Sequence, residues 1–373
     1  MTTDDRFMDM ALRLARRGLG NTWPNPAVGC VIVSDDEVPR VLGRGWTMPG
    51  GRPHAETVAL DQARERFGGE ALVGARAYVT LEPCSHTGRT PPCADALIAA
   101  GIAHVVSACE DPDPRVRGSG LARLREAGVA VESGPGGEAA AAINTGFFTR
   151  VREGRPMVAL KTATTSDGRI ATRTGASQWI TGPAARARAH MMRATHDAIA
   201  VGVDTVIADD PGLTCRLPGM SARSPVRVVF DSRLRIPAGA ALVKTAGEVP
   251  TWVVTTASGD TEARAELESS GVRVIEVPPR DGRVETAAAL AALGDAGITR
   301  LMVEGGARLS TALLRAGLVD ELHWFRAPSL IGGDGLPPFG DLGVAEMEEV
   351  RGFRARSRTP VGDDMLDIFV RVP

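Results

Sequence analysis

The sequence is short of lysine: of 43 basic residues, only Lys161 and Lys244 are not arginine. Aromatic residues are scarce too, at 4% with a single tyrosine, and there are five cysteines in 373 residues. An odd, sparse set of cysteines argues against a disulfide scaffold and fits a reducing cytosol. No run approaches the eighteen or so apolar residues of a membrane-spanning helix. The opening MTTDDRFMDMALRLARRGLG is acidic and then amphipathic, without the apolar core and cleavage site of a secretory signal. An excess of one charge is also missing. The 43 basic and 45 acidic residues leave a net charge of −2, where a dedicated nucleic-acid binder carries a basic excess. The arginine bias is a trait of the whole composition, and it makes a retained lysine such as Lys161 worth noting.

What is present, 43% hydrophobic and 24% charged residues, is the composition of a globular protein. The length exceeds what one core serves, so two domains are expected. In the first half, VGCVIV (28–33) and VLGRGW (41–46) read as paired strands, followed by a helix over 54–67 and a strand over 75–83. A helix opens at Cys93 and stops at Gly101, a strand covers 102–110, and one more helix and strand follow. The alanine run after Glu138 reads as a helix closing this domain, and REGRP as a linker. The boundary is expected at 148/149, giving domains 1–148 and 149–373. Strands resume as MVALKTATT, AIAVGVDTV, VRVVFDS, TWVVTT, VRVIEVP and RLMVEGG, with helices between several of them, which implies a second layered α/β domain.

Two words carry chemistry in the first half, PHAE (53–56) and LEPCSHTGRTPPC (81–93). Zinc takes imidazole and thiolate ligands, and a catalytic site keeps one position for water, so His54, Cys84 and Cys93 suffice. Zinc acidifies such a water by several units. Glu56 lies two residues from His54, placed to shuttle a proton to a leaving amine without being a ligand. A cysteine opening a helix has its thiolate favoured by the helix N-terminus, as Cys93 would. His-x-Glu followed by Pro-Cys is the zinc deaminase order, although eight residues rather than two separate these cysteines. On spacing alone a closed structural site, with His86 as fourth ligand, stays open. Cys30 and Cys109 read as buried fillers, and His104, His190, His196 and His323 as packing or surface residues.

The words NPAVGCVIV, GRPHAE, TLEPCSHTGRTPPC, ALIAAG and DPDPRV resemble the pyrimidine deaminase of riboflavin biosynthesis across the whole first domain. In the second domain LKTATTSDGRIATRTGASQWITG, GVDTVIADDPGLTCR, VFDS, VEGGARLSTALLRAGLVDEL and LIGG resemble the reductase half of the bifunctional proteins of that pathway. The resemblance implies an α/β chain with a cytidine-deaminase-like three-layer domain and a dihydrofolate-reductase-like domain. It implies Zn2+ and NADPH as cofactors, phosphorylated pyrimidine substrates, no nucleic-acid or membrane partner, a cytoplasmic location and a homo-oligomer. Asn25, His86, Arg89 and Asp111 would contact the deaminase substrate, with Glu56 catalytic and His54, Cys84 and Cys93 on the metal. Ala163, Trp179, Thr205, Asp209, Ser232 and the run Gly306, Ala307, Arg308, Leu309, Ser310, Thr311 and Ala312 would border NADPH. Ser177, Arg193, Leu213, Arg216 and Glu304 would border the reductase substrate, and Lys161 points from its strand toward the same cleft. Arginine suits a phosphate because it bonds bidentately. Relatives often carry histidine where this chain has Thr47 and asparagine where it has Asp113. The glycine pair Gly305–Gly306, between a strand and an amphipathic helix, lets backbone amides approach a phosphate, while lacking the Rossmann and P-loop spacings. A nucleic-acid editing deaminase with an appended binding module shares the metal pattern, but the acidic balance and the reductase-like words count against it.

Overall fold

The computed structural model describes residues 2–86, 91–257 and 260–372. The chain divides into two units, Met1–Gly154 and Arg155–Pro373.

The first unit contains helices α1 (Thr3–Ala15), α2 (Ala55–Phe67), α3 (Cys93–Ala99), α4 (Ser119–Glu126), α5 (Gly137–Ile143) and α6 (Thr145–Glu153). Its strands are β1 (Gly29–Val33), β2 (Val41–Trp46), β3 (Arg76–Val79), β4 (His104–Ser107) and β5 (Ala130–Ser133), ordered β2-β1-β3-β4-β5. β1 pairs antiparallel with both β2 and β3, and β3, β4 and β5 run parallel. Strand side chains alternate between faces, so β1 feeds two cores. Cys30 and Ile32 pack with α2, α3 and α4 on one face. Val31 and Val33 pack with Phe7, Met8 and Leu12 of α1 and Ile143 of α5 on the other. This is a three-layer α/β/α unit. Its last helix, α6, runs through the boundary expected at 148/149, because Phe147, Phe148 and Val151 still pack on the first core. The helix ends where Gly154 adopts a left-handed conformation at φ +69°.

The second unit contains β6 (Met157–Thr165), α7 (Pro183–Ala194), β7 (Ala198–Gly202), α8 (Val203–Asp209), β8 (Val226–Phe230), α9 (Ala241–Lys244) and β9 (Thr251–Thr255). There follow α10 (Thr261–Ser269), β10 (Arg273–Glu276), a small hairpin of β11 (Pro279–Arg280) and β12 (Arg283–Val284), α11 (Thr286–Asp295), β13 (Arg300–Val303), α12 (Ala307–Arg315), β14 (Glu321–Ala327), β15 (Phe353–Val361) and β16 (Asp364–Arg371). Nine strands form one sheet in the order β10-β9-β8-β7-β13-β6-β14-β16-β15. It is parallel from β10 to β14 and antiparallel at β16 and β15. AIAVGVDTV is a strand only to Gly202, after which the chain enters α8. Among the described residues no helix is long and apolar enough to cross a membrane.

Candidate active sites

Gly43 and Gly45 stand on one face of β2 and let α2 lie against it. A Cβ at Gly43 would sit 2.0 Å from the Ala59 carbonyl oxygen, and one at Gly45 2.1 Å from that of Ala55. This contact fixes the start of α2, where His54 is the N-cap residue and Glu56 lies in the first turn. Cys84 follows β3, and Cys93 is the first residue of α3. His54 Nδ1 is 3.3 Å from Cys93 Sγ and 3.7 Å from Cys84 Sγ, and the Cys93 N–H donates to Cys84 Sγ at 3.3 Å. The three ligand atoms lie within 4.8 Å of one another. One imidazole and two sulfurs at this spacing fit zinc with a side open to water.

The electrostatics of the cluster follow from its crowding. The hydrogen bond from Cys93, with further help from His54, pushes the Cys84 thiol down to about 4. The same contact and burial push Cys93 up, so the pair favours one negative charge, on Cys84. Glu56 is 3% exposed, and burial pushes its carboxyl up to about 7.

A cavity of 550 Å³ opens on this cluster and gathers Asn25, His86 and Asp111 beside His54, Glu56 and Cys84. The Asn25 Nδ2 donates to the Gly51 carbonyl at 2.8 Å, which leaves its Oδ1 for the cavity. Burial pushes the Asp111 carboxyl up to about 6. His86 Nδ1 is buried with no hydrogen-bond partner among the described residues. Arg89 lies outside the described residues. Thr47 lines the cavity, and its hydroxyl accepts the Val28 N–H at 3.0 Å. Asp113 is held by Arg115 through both carboxylate oxygens, at 3.0 and 2.5 Å. Sequence reasoning missed Arg52, Glu82, Arg115 and Arg150 in this lining. For Arg150 a signal existed, since it follows Phe147 by three positions on α6 and so shares its face.

In the second unit a cleft of 310 Å³ brings together Lys161, Ala163, Ser177, Trp179, Arg193, Arg216, Glu304, Gly306, Ala307 and Ser310. At its floor Glu304 accepts from Arg193 Nε at 2.8 Å and faces Lys161 Nζ at 3.6 Å. Burial acts to raise the Glu304 carboxyl, but the Lys161 and Arg193 charges outweigh it and hold the group below its ordinary value. Trp179 is 67% exposed at the cleft, with the Arg186 guanidinium 4.7 Å from its ring centre. His190 also lines the cleft and meets Arg216 at 3.3 Å. The sequence alone suggests a packing or surface residue, but His190 stands one helical turn before Arg193 on α7 and so shares its face.

Ser232, Arg308, Leu309 and Ala312 line a different cavity of 500 Å³ on the other flank of α12. Thr205, Asp209, Leu213 and Thr311 line neither cavity. Leu213 packs in the hydrophobic core. Asp209 is exposed at the end of α8. The Thr311 hydroxyl is spent on the Ala307 carbonyl and the Gly340 N–H. Thr205 stands behind the glycine pair, 3.7 Å from a Cβ at Gly305. Gly305 and Gly306 have φ of +151° and +86°, both in the region where glycine is favoured.

Comparison with known proteins accounts for both halves. Residues 1–109 match the cytidine and deoxycytidylate deaminase zinc-binding region, and residues 156–365 match the RibD C-terminal domain. The riboflavin biosynthesis protein RibD of Actinobacillus pleuropneumoniae is 43% identical over 98% of this chain and 94% of its own length. That of Escherichia coli is 42% identical over 97% and 98%. Among solved structures, Acinetobacter baumannii RibD superposes with a TM-score of 0.87 at 39% identity, covering 99% of both chains. A diaminohydroxyphosphoribosylaminopyrimidine deaminase/5-amino-6-(5-phosphoribosylamino)uracil reductase from Thermotoga maritima does so at 0.85 and 33% identity, again over 99% of both. With a metal-ligand triad in one unit, a cleft gathering Lys161, Arg193 and Arg216 in the other and relatives of this identity along the whole chain, the protein belongs to the RibD family of riboflavin biosynthesis proteins.

Proposed function

We propose that the first unit hydrolyses the 2-amino group of 2,5-diamino-6-(5-phosphoribosylamino)pyrimidin-4(3H)-one, and that the second reduces the ribosyl chain of the product to give 5-amino-6-(5-phosphoribitylamino)uracil. The chain is a bifunctional deaminase and reductase that uses zinc and NADPH. The reading at residue level rests on one observation above all: His54 and Cys84, which converge with Cys93, line a cavity that also holds a buried acid, Glu56, which is not a member of the triad.

His54, Cys84 and Cys93 would hold the metal, which would supply Lewis acidity and lower the pKa of water. Glu56, buried beside the triad, takes a proton from the attacking water and passes it to the departing amine. Asn25 presents Oδ1 to a ring N–H, and His86 and Asp111, in the same lining, contact the remainder of the substrate. Arg52, Arg115 and Arg150 supply positive charge for the substrate phosphate. In the second unit NADPH supplies the reducing equivalents. Arg216 positions the sugar phosphate and Glu304, fixed between Lys161 and Arg193, borders the substrate, while the glycine pair admits the cofactor diphosphate. Five unpaired cysteines support a cytosolic location.

The test is incubation of purified protein with the diaminopyrimidine, with and without NADPH, followed by mass spectrometry. Without NADPH the product exchanges an amine for a carbonyl oxygen and ammonia appears. With NADPH it gains two further hydrogens. Unchanged substrate in a zinc-loaded preparation would remove the assignment.

A further inference from the structure

The cationic side chains of the reductase cleft are not equivalent. Lys161 and Arg193 are engaged by Glu304, at 3.6 and 2.8 Å. Arg216 lines the same cleft and is exposed. Among the described residues no carboxylate pairs with its guanidinium. Its side chain meets an imidazole instead: the Arg216 Nε–H donates to His190 Nε2 at 3.4 Å. An arginine that no carboxylate occupies is open to an anion from outside.

The backbone around Arg216 is fixed without help from that imidazole ring. Arg193 Nη1 donates to the Thr214 carbonyl at 2.9 Å, and the Cys215 thiol donates to the His190 carbonyl at 3.5 Å. The Cys215 N–H donates to the Ser224 hydroxyl at 3.1 Å. The Arg216 N–H also points at the ring, at His190 Nδ1, 3.3 Å away. A neutral imidazole has one acceptor nitrogen, so the ring serves either the Arg216 backbone or its side chain. The backbone has its other anchors, so the acceptor counts most at the guanidinium. Burial, and then the charges of Arg193 and Arg216, hold His190 below its ordinary value of 6.5, while Glu304 and the Thr214 carbonyl act the other way. The ring is therefore neutral at physiological pH and keeps an acceptor.

We infer that His190 is a positioning residue of the reduction, and that its Nε2 holds the Arg216 guanidinium aligned for the substrate phosphate. The inference rests on the reading above that Arg216 binds that phosphate. The contact uses the Nε–H and leaves the N–H groups of both Nη atoms, an edge that can grip a phosphate bidentately. Fixing a long, exposed side chain before the ligand arrives removes part of the entropy lost on binding. An imidazole does this without a negative charge, where a carboxylate in its place would repel the phosphate.

The experiment uses the full-length enzyme and its deaminated substrate. Asparagine places its amide where Nδ1 stands and glutamine where Nε2 stands, so the two variants separate the ring nitrogens. His190→Ala and His190→Asn are expected to raise the KM for the pyrimidine substrate by about tenfold, the scale of one hydrogen bond to a charged group, with the KM for NADPH unchanged. His190→Gln should restore most of that loss. His190→Ala combined with Arg216→Gln should be no worse than Arg216→Gln alone, since the imidazole acts through the guanidinium. Calorimetric titration with ribose 5-phosphate needs no turnover and should follow the same order. As the pH falls, the wild type should lose affinity faster than His190→Gln, because protonation removes the acceptor and sets a further positive charge beside Arg193 and Arg216. Comparing these two proteins cancels the titration of the phosphate itself, whose second pKa is about 6. An unaffected His190→Ala, a rescue by asparagine but not glutamine, or a parallel rise in the KM for NADPH overturns the inference. So does a wild type that gains affinity over His190→Gln at low pH, which would make the imidazolium itself the phosphate ligand. Ribose 5-phosphate bound in the expected order by a protein that oxidises no NADPH would sink the reductase reading and leave the alignment of Arg216 standing.

Discussion

Glu82 and Gly120 are tied twice over: the Glu82 Oε1 accepts the Gly120 N–H at 2.9 Å, and the missing Cβ of Gly120 lets α4 come within contact of the Pro83 carbonyl, from which a Cβ would be 1.9 Å. The other Glu82 oxygen accepts the N–H groups of Asp111 and Gly118, at 3.2 and 3.0 Å. One buried carboxylate thus fixes both ends of the loop that carries Asp111, Asp113 and Arg115 into the deaminase cavity. Glu82→Gln would turn an amide donor toward two backbone donors, leaving buried groups unsatisfied at a cost of about 1–3 kcal/mol each. The expected outcome is a lower unfolding temperature for the deaminase unit and a raised KM for ammonia release, with NADPH oxidation on the deaminated substrate unaltered. An unchanged KM would separate the loop from substrate binding.

Glu56 and the metal triad can be tested apart from each other. Glu56→Gln keeps His54, Cys84 and Cys93, the proposed ligands, and removes the proposed proton carrier. Zinc content by elemental analysis should stay stoichiometric while ammonia release falls by at least about 100-fold, the usual scale of general acid–base catalysis. Chelation should likewise stop ammonia release while NADPH oxidation on the deaminated substrate continues. Normal ammonia release by Glu56→Gln would make the acid a bystander.

The metal triad was legible because its chemistry is written locally. His54 and Glu56 share one helix start, and the two cysteines flank a single loop. The reductase cleft was legible only through resemblance, since Lys161, Arg193, Arg216 and Glu304 come from four separate segments that meet through sheet order, not through spacing. Glu82 could not be found at all. Its role depends on N–H groups 29 to 39 residues away, and a glutamate before Pro-Cys has no signature of its own. The boundary near 148 missed α6 because the helix is stabilised by Phe147 and Phe148 packing on the first core, which local composition does not reveal. Trp179 is the converse. An aromatic in a strand-rich half reads as core, yet it stands exposed at the cleft.

Lys161 and Glu304 make a prediction specific to the second unit. Both are mostly buried, with side chains 18% and 11% exposed, and Glu304 relies on Lys161 and Arg193 to stay ionised. Lys161→Ala leaves Arg193 as the remaining partner. Reduction should slow by at least about tenfold, the consequence of one lost charge-assisted contact in a desolvated site. Ammonia release should not change. Equal rates of NADPH oxidation would return Lys161 to a structural role.

His196 gives the second unit a pH dependence whose sign can be worked out. Its Nδ1–H donates to the Met192 carbonyl at 2.7 Å, and its Nε2 is buried with no hydrogen-bond partner among the described residues. Burial, and then the Arg300 charge, push the imidazole down to about 3 from an ordinary value of 6.5. The folded group therefore stays neutral where the unfolded one takes a proton. Its contribution to stability is complete above the unfolded value and is lost as the pH falls from 6.5 toward 3, with a slope of at most about 1.4 kcal/mol per pH unit. Neighbouring Asp197 is raised by burial and acts in the opposite sense, so the comparison must be between variants sharing it. His196→Phe removes the titrating group and keeps an aromatic ring in the cavity. Hydrogen exchange of β7 and β13 amides, read at matched pH between 4.5 and 7, should show the wild type losing protection faster than the variant as the pH falls. Parallel losses in the two proteins would mean that His196 is already protonated in the fold, with a partner for Nε2 that the geometry does not provide.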